Sequence, residues 1–246
     1  MSKEPIKKAT KKGDPTTTTP VDAYVVIIGF EVNYPDAFND GIMDLDVDYG
    51  HAFFYVTKND RIVISFSFGP NGGSDPNSLA NKVSGSGEIG PRPGRATYPV
   101  SEATKLFRIP VTEKVAKETI KNTQETIAEI NAGKLKYNVV YNDTCAATAR
   151  EILEETIDDL PSGSGKVKTS KTGWQTTVPM MTNPYMWHHN FKIATLIDKK
   201  TKKKRLKYKE YILPEQDLVL KVGKADPLIE QGVATTSEAV NEPSKK

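Results

Sequence analysis

Cys145 and His51 are the two residues of this sequence whose types best suit covalent chemistry. Cys145 is the only cysteine, and residues 146–153 after it have the pattern of a helix. A thiol in the first turn of a helix faces unpaired N–H groups and the positive end of the helix dipole, which both favour the thiolate. His51 opens an aromatic and aliphatic run that predicts a buried strand. A strand-borne imidazole facing a helix-start thiol predicts a cysteine nucleophile with a histidine base.

Two other interpretations of the same residues stay open. The base could instead be His188 or His189, which follow Cys145 by 43 and 44 positions. The chain could also be a binding module without catalytic activity, because a lone cysteine often serves as a small buried apolar residue. In that case the adjacent histidines and Trp187 are a packed or exposed aromatic cluster. Separate substitution of each histidine shows whether His51 or one of His188 and His189 is the base.

A third catalytic residue would orient the His51 imidazole by binding its second ring nitrogen. Asp22 is the first candidate, because a lone carboxylate at the start of an apolar strand requires a polar partner when it is buried. Asp48 and Ser67 follow as alternatives. We therefore expect a triad of Cys145, His51 and Asp22.

The residues just before Cys145 are suited to shaping the turn that presents the sulfur. Asp143 or Thr144 can cap the helix, since a short oxygen-bearing side chain accepts from the first free N–H groups. The backbone N–H of Cys145 would contribute to an oxyanion hole during acyl transfer. Tyr141 and Asn142 lie close enough in sequence to contribute a second donor.

Several elements that would position these residues are predicted by hydrophobic pattern and turn residues. A β-branched run predicts a central buried strand, an Asn-Asp pair predicts a hairpin turn, and a threonine-capped apolar stripe predicts a helix. In chain order the predictions are a strand at 21–32, a turn at 59–60, a strand at 61–68, a helix at 112–131 and the Cys145 helix to about 160.

Glycine, proline and serine are concentrated in residues 69–95, which predicts an irregular flap over the active-site end of the sheet. Farther on, residues 191–197 and 205–213 are candidate strands. The lysines at 199–205 predict a solvent-exposed turn between these two strands. The segment from about 166 to 222 would extend the sheet or add a β-rich module.

Length and composition fit one main domain. We expect a disordered basic arm over residues 1–20, a hydrolase domain over 21–222 and a disordered tail over 223–246. The net charge of +3 is small for 246 residues, and the lysines are not interleaved with aromatic residues, so we expect no nucleic-acid partner. One cysteine excludes an internal disulfide, and three histidines with one cysteine lack the spacing of a zinc site. We expect no metal and no cofactor.

The order of the motifs resembles the circularly permuted branch of the NlpC-type papain-like cysteine hydrolases. That order is a Gly50-His51 aromatic strand, then a strand bearing Gly69-Pro70, then Tyr141-Asn142-Asp143-Thr144-Cys145 at a helix start. The branch includes relatives of lecithin retinol acyltransferase and bacterial cell-wall amidases, and the chain is also similar to antibacterial effectors of type VI secretion systems. The resemblance covers residues 22–160.

The resemblance implies an α+β fold in which an antiparallel sheet packs against helices, here with a C-terminal β-rich extension. It implies a papain-like amidase or peptidase that cleaves peptidoglycan stem-peptide amides, with lipid acyl esters as the neighbouring substrate class. An immunity protein and a secretion carrier would be its partners. The sequence has neither a secretory h-region nor a membrane-spanning stretch, so we expect synthesis in the cytoplasm and delivery to a target periplasm by other machinery.

Overall fold

The computed structural model describes most of the chain, in nine segments: residues 23–35, 50–70, 84–90, 103–138, 142–166, 177–178, 181–198, 201–214 and 218–236. The strands in these segments are β1 (Tyr24–Glu31), β2 (His51–Lys58), β3 (Arg61–Phe66), β4 (Phe68–Pro70), β5 (Ser84–Ile89), β6 (Thr104–Val111), β7 (Lys136–Asn138), β8 (Gly165–Lys166), β9 (Thr177–Val178), β10 (Thr195–Ile197), β11 (Lys204–Leu206) and β12 (Glu210–Leu213). The helices are α1 (Glu113–Asn131), α2 (Cys145–Glu154), α3 (Pro184–Ile193) and α4 (Pro227–Glu230).

A five-stranded antiparallel sheet forms the centre of the fold, in the order β12-β6-β1-β2-β3. All eight residues of β1 are buried, which confirms the prediction of a central strand. When both faces of a strand are covered, its sequence is a continuous apolar run, because neither set of alternating side chains is exposed to water. The fold is therefore α+β, with helices packed on an antiparallel sheet.

The hairpin between β2 and β3 turns at Asn59 and Asp60, as predicted. Both residues have positive φ, 51° and 60°, the geometry of a two-residue turn whose twist matches the flanking strands. Asparagine and aspartate tolerate this left-handed region better than most residues. The hairpin brings the residues after β3 back beside the start of β2, where His51 lies.

Helices α1, α2 and α3 cover one face of the sheet and share a single apolar cluster with β1 and β2. Thr112 caps α1 by accepting from the backbone N–H of Val115, and Gly133 follows the helix with φ +70°. The α2 helix ends at Glu154, earlier than the predicted residue 160, and turns follow it. The helical side chains buried in this cluster include Ala116, Ile130, Ala146, Ala149, Ile152, Leu153, Tyr185, Trp187 and Phe191.

The other face of the sheet is covered by the segment that follows β12. The composition predicted a disordered tail from residue 223 onward. In the structure, however, Asp226 and Leu228 are completely buried against this face. The Asp226 carboxylate accepts from the Tyr55 hydroxyl at 2.9 Å and from the Leu228 N–H at 3.0 Å. The mostly polar composition of the segment predicted disorder. A few buried contacts are nevertheless enough to order a short stretch of chain.

A second small sheet, β4-β5-β7, occupies part of the predicted flap at 69–95. The prediction of an irregular loop is therefore wrong for Ser84–Ile89. Glycine acts here as a packing residue, because a Cβ on Gly87 would lie 2.0 Å from Cε2 of the Phe68 ring. The Phe68 ring also packs edge-on against Tyr137, with ring centroids 5.3 Å apart.

The predicted strand at 191–197 is a helix in its first part and a strand in its last. Asn183 caps α3 with its side chain, and Pro184 occupies the first turn, where its missing N–H costs no hydrogen bond. After the helix, β10 and β11 form the hairpin predicted around the lysine-rich tip, and β12 joins the main sheet. None of the helices in the described segments has the length and apolar character needed to cross a bilayer.

Candidate active site

Cys145 is the first residue of α2, and Thr144 is its cap. The Thr144 backbone is extended (φ −113°, ψ 171°), and its side-chain oxygen accepts from the Ala147 N–H at 3.4 Å. Of the two predicted cap residues, Thr144 therefore has this role. This geometry fixes the first turn of the helix and directs Cys145 toward the sheet, where α2 packs against β2.

Three donors lie against the sulfur of Cys145. They are the backbone N–H of Ala52, the backbone N–H of Ala146 and the side-chain hydroxyl of Tyr137. Ala52 directly follows His51 in β2. The fold therefore brings the nucleophile candidate to the main chain beside the base candidate, although 94 positions separate Cys145 from His51.

Burial nevertheless raises the pKa of Cys145 to about 11, the reverse of the depressed value expected from its helix-start position. The residue is only 4% exposed, and removal of the thiolate from water outweighs the three donors, which lower the pKa. The nearby Glu31 carboxylate raises the pKa further. At neutral pH Cys145 is a neutral thiol, and ionisation requires a base.

Tyr137 reaches the sulfur because the chain folds back between β7 and α2. Asn138 and Asp143 exchange two backbone hydrogen bonds, of 2.9 and 2.8 Å, and Asn142 within this turn has φ +65°. Tyr137 is thereby placed beside Cys145, eight positions later in the chain. Sequence reasoning missed Tyr137, and only the asparagines of the turn hinted at this reversal.

His51 forms a hydrogen bond with Ser67, with 2.9 Å between the imidazole Nε2 and Oγ. Ser67 is 4% exposed and lies in the one-residue break between β3 and β4. Of the predicted orienting residues, Ser67 is thus in contact with the ring. The His51 ring stacks on Phe53 with ring centroids 6.2 Å apart, on the face of β2 opposite Ala52. Cys145 packs with Ala52 in the apolar cluster on the helical face, so the two side chains lie on opposite faces at the start of β2. A proton transfer between them would require the imidazole to reach around the first peptide unit of the strand.

Glu31 is a second polar residue that sequence reasoning missed. It ends β1, lies directly opposite His51 in the strand register and is 4% exposed. Directly paired residues of antiparallel strands carry their side chains on the same face. The visible signal was a carboxylate at the end of the apolar run 21–32.

Asp22 and Asp48, the other two predicted orienting residues, lie outside the described residues, and so does Tyr141. Asn142, proposed as an oxyanion-hole donor, uses its side-chain oxygen to accept from the backbone N–H of Thr182 at 3.0 Å. This contact joins the turn before Cys145 to the segment before α3.

The alternative histidines have different surroundings. His188 is buried on α3, and its Nε2 lies 2.5 Å from the Glu210 carboxylate on β12. Burial lowers the pKa of His188 to about 4 against the raising effect of Glu210, so the neutral ring donates to the carboxylate. Since β12 lies three strands from β2, roughly 14 Å at the usual strand spacing, the Glu210 contact is remote from the Cys145 helix start. His189 is exposed.

Within the nine described segments, no group of three histidine, cysteine, aspartate or glutamate side chains is arranged to hold a metal ion. Comparisons with protein-family models, with curated proteins and with solved structures find no match to the chain.

Proposed function

We propose that the protein is a cysteine hydrolase of the papain-like kind, in which Cys145 attacks an amide carbonyl and His51 transfers the proton. The observation that supports this most directly is the position of the Ala52 backbone N–H against the Cys145 sulfur, where it lowers the pKa of the thiol. This contact places the sulfur beside the residue that follows His51. The resemblance to the permuted NlpC-type order points to the same pair.

The proposed reaction starts from the neutral thiol that burial favours. As substrate binds, the thiol proton passes to the His51 imidazole, a C–S bond forms at the carbonyl, and the carbonyl oxygen becomes an oxyanion. The amide C–N bond then breaks, and the leaving amine takes the proton from the imidazolium. Water next attacks the thioester, gives one proton to the imidazole, and regenerates the thiol as the acid product leaves.

Ser67 is the proposed positioning residue. If Nε2–H of His51 donates to Ser67 Oγ, the other ring nitrogen, Nδ1, carries the lone pair that accepts the thiol proton. A hydroxyl stabilises an imidazolium less than a carboxylate does, so the buried Glu31 carboxylate opposite His51 would supply the compensating negative charge.

The proposed substrate is the stem-peptide amide of peptidoglycan, with lipid acyl esters second, on the basis of the resemblance. The proposed setting is a target-cell periplasm, reached through a secretion carrier and opposed by an immunity protein. A secreted antibacterial role of this kind rests on analogy to effectors of type VI secretion systems.

The test directs the chain to the bacterial periplasm and measures growth and the peptide products of isolated peptidoglycan. We expect lysis and new amide-cleavage products with the unmodified chain, and neither with Cys145→Ala or His51→Ala. His188→Gln and His189→Ala are matched controls that should retain activity. Activity that survives Cys145→Ala, or that disappears with His188→Gln in a folded protein, contradicts the proposal.

A non-catalytic binding module is the second candidate, and the burial of Cys145 favours it. A thiol that is 4% exposed with a pKa of about 11 also fits an inert packing residue. In that case peptidoglycan and acyl esters are recovered uncleaved, and Cys145→Ala keeps whatever binding the unmodified chain shows.

A further inference from the structure

The sequence of the β10–β11 hairpin and its flanks is strongly basic, and its described residues include exposed aliphatic side chains. Residues 192–209 contain nine lysines and arginines and one aspartate, a net charge of +8. Since the whole chain has a net charge of +3, the remaining residues together carry −5. The segment is therefore strongly basic in a chain whose other residues are net acidic.

Exposed aliphatic side chains are placed among these cations by the strand register. Ile197 pairs with Lys204, and Thr195 pairs with Leu206, so all four side chains share one face of the two-stranded hairpin. Ile197 is 66% exposed and Leu206 is 60% exposed. Ile193, at the end of α3 just before the hairpin, is 56% exposed.

A shallow cavity of about 380 Å³ adjoins this face. Its lining includes Lys192, Arg205, Lys207 and Lys209 from the basic segment, Phe107 from β6, and Glu210, whose carboxylate lies 3.4 Å from Lys192 Nζ. The four cations outnumber this one carboxylate around an apolar floor, which suits a small anionic group on an apolar stem. It lies at the β12 edge of the sheet, away from the start of β2.

We propose that the β10–β11 hairpin and the end of α3 dock on the surface of a bilayer that contains anionic lipids. Lysine-rich segments are attracted to anionic headgroups, and aliphatic side chains beside them enter the boundary between headgroups and acyl chains. Single-stranded nucleic acid would instead favour exposed aromatic side chains for base stacking. In this segment Tyr208 is buried, and the exposed apolar residues are aliphatic.

The test measures partition of the full chain onto vesicles of equimolar phosphatidylcholine and phosphatidylglycerol, and onto vesicles of phosphatidylcholine alone. We expect binding to the mixed vesicles only. Lys203→Gln with Arg205→Gln should weaken the partition about thirtyfold, from the usual contribution of two cations near an anionic surface. Lys114→Gln with Lys134→Gln, two exposed lysines of the α1 region, is the matched control and should change it little.

Ile197→Ser with Leu206→Ser tests the apolar part. Because salt screens the charges but leaves apolar burial, the unmodified chain should keep some binding at high salt, and this variant should lose that part. Thermal unfolding confirms that these exposed substitutions leave the fold intact. Equal binding to both vesicle types, equal loss in the lysine control, no effect of the serine variant, or binding of duplex DNA without binding of the mixed vesicles each overturns the proposal.

Discussion

The ionisation of Cys145 gives the sharpest test of the site. The structure raises its pKa from 9.0 to about 11, so the thiolate fraction at pH 8 is on the order of one in a thousand. Alkylation by iodoacetamide consumes the thiolate, and with a single cysteine the labelled mass reports this residue alone. We expect the labelling rate to rise about tenfold per pH unit from about pH 7 to about pH 10, without levelling off.

Replacement of Tyr137 by phenylalanine should slow the labelling. The hydroxyl is one of three donors that lower the pKa of Cys145, and a hydrogen bond to a charged group contributes about 1.5 to 3 kcal/mol. At a fixed pH this corresponds to roughly a tenfold to hundredfold smaller thiolate fraction. Tyr24→Phe, at the far end of β1 in the same apolar cluster, is the matched control and should leave the rate unchanged.

The same shift predicts how stability depends on pH. The folded-state pKa of Cys145 is raised, so its contribution is fully present below about pH 9 and is lost as pH rises toward 11. Two pKa units correspond to about 3 kcal/mol in total, so urea unfolding should show the unmodified chain losing about 2 kcal/mol more stability than Cys145→Ala between pH 9 and pH 11. A labelling profile that levels off near pH 8.5, or faster labelling in Tyr137→Phe, would refute the dominance of burial.

His51→Ala should abolish hydrolysis of the amide substrate in a turnover assay, whereas His188→Gln should retain it, because the Glu210 contact holds His188 at the other edge of the sheet. Ser67→Ala should lower kcat at least tenfold with little change in KM, because it removes the hydrogen bond that orients the His51 ring but leaves the base in place. An unchanged pH profile of kcat would contradict this positioning role of Ser67. Asp226→Ala should cost about 1 to 3 kcal/mol in urea unfolding, because the buried Tyr55 hydroxyl loses its acceptor, while Arg108 keeps the Asp60 carboxylate 3.8 Å away. A loss below about 1 kcal/mol, typical of an exposed pair, would show that the buried cluster is unimportant.

Local sequence patterns were sufficient to predict the elements whose conformation is set by residues close together in the chain. The apolar run at 21–32 predicted the central strand, and Asn59-Asp60 predicted the turn that brings Ser67 to His51. The oxygen-bearing residue before Cys145 predicted the helix start, with Thr144 as one of two caps. These features follow from periodicity and backbone preferences, which act over a few residues.

The predictions from glycine content and polarity were wrong where a contact with a residue far away in the chain determines the structure. Gly87 accommodates the ring of Phe68 from another strand, so a glycine-rich segment became β5. Asp226 and Leu228 order the segment after residue 223 through Tyr55 on β2, more than 170 positions away. Nothing local marks such partners, because the contact exists only after the sheet has formed.

The sequence by itself therefore determined which residue types could act, namely one thiol and three imidazoles, and the strand or helix start that carries Cys145 and His51. Tertiary structure alone decided that the Cys145 sulfur rests against the Ala52 N–H and the Tyr137 hydroxyl, and that burial raises its pKa instead of lowering it. The physical reason is that desolvation depends on every atom packed around the sulfur, and those atoms come from strands and helices that are far apart in the chain.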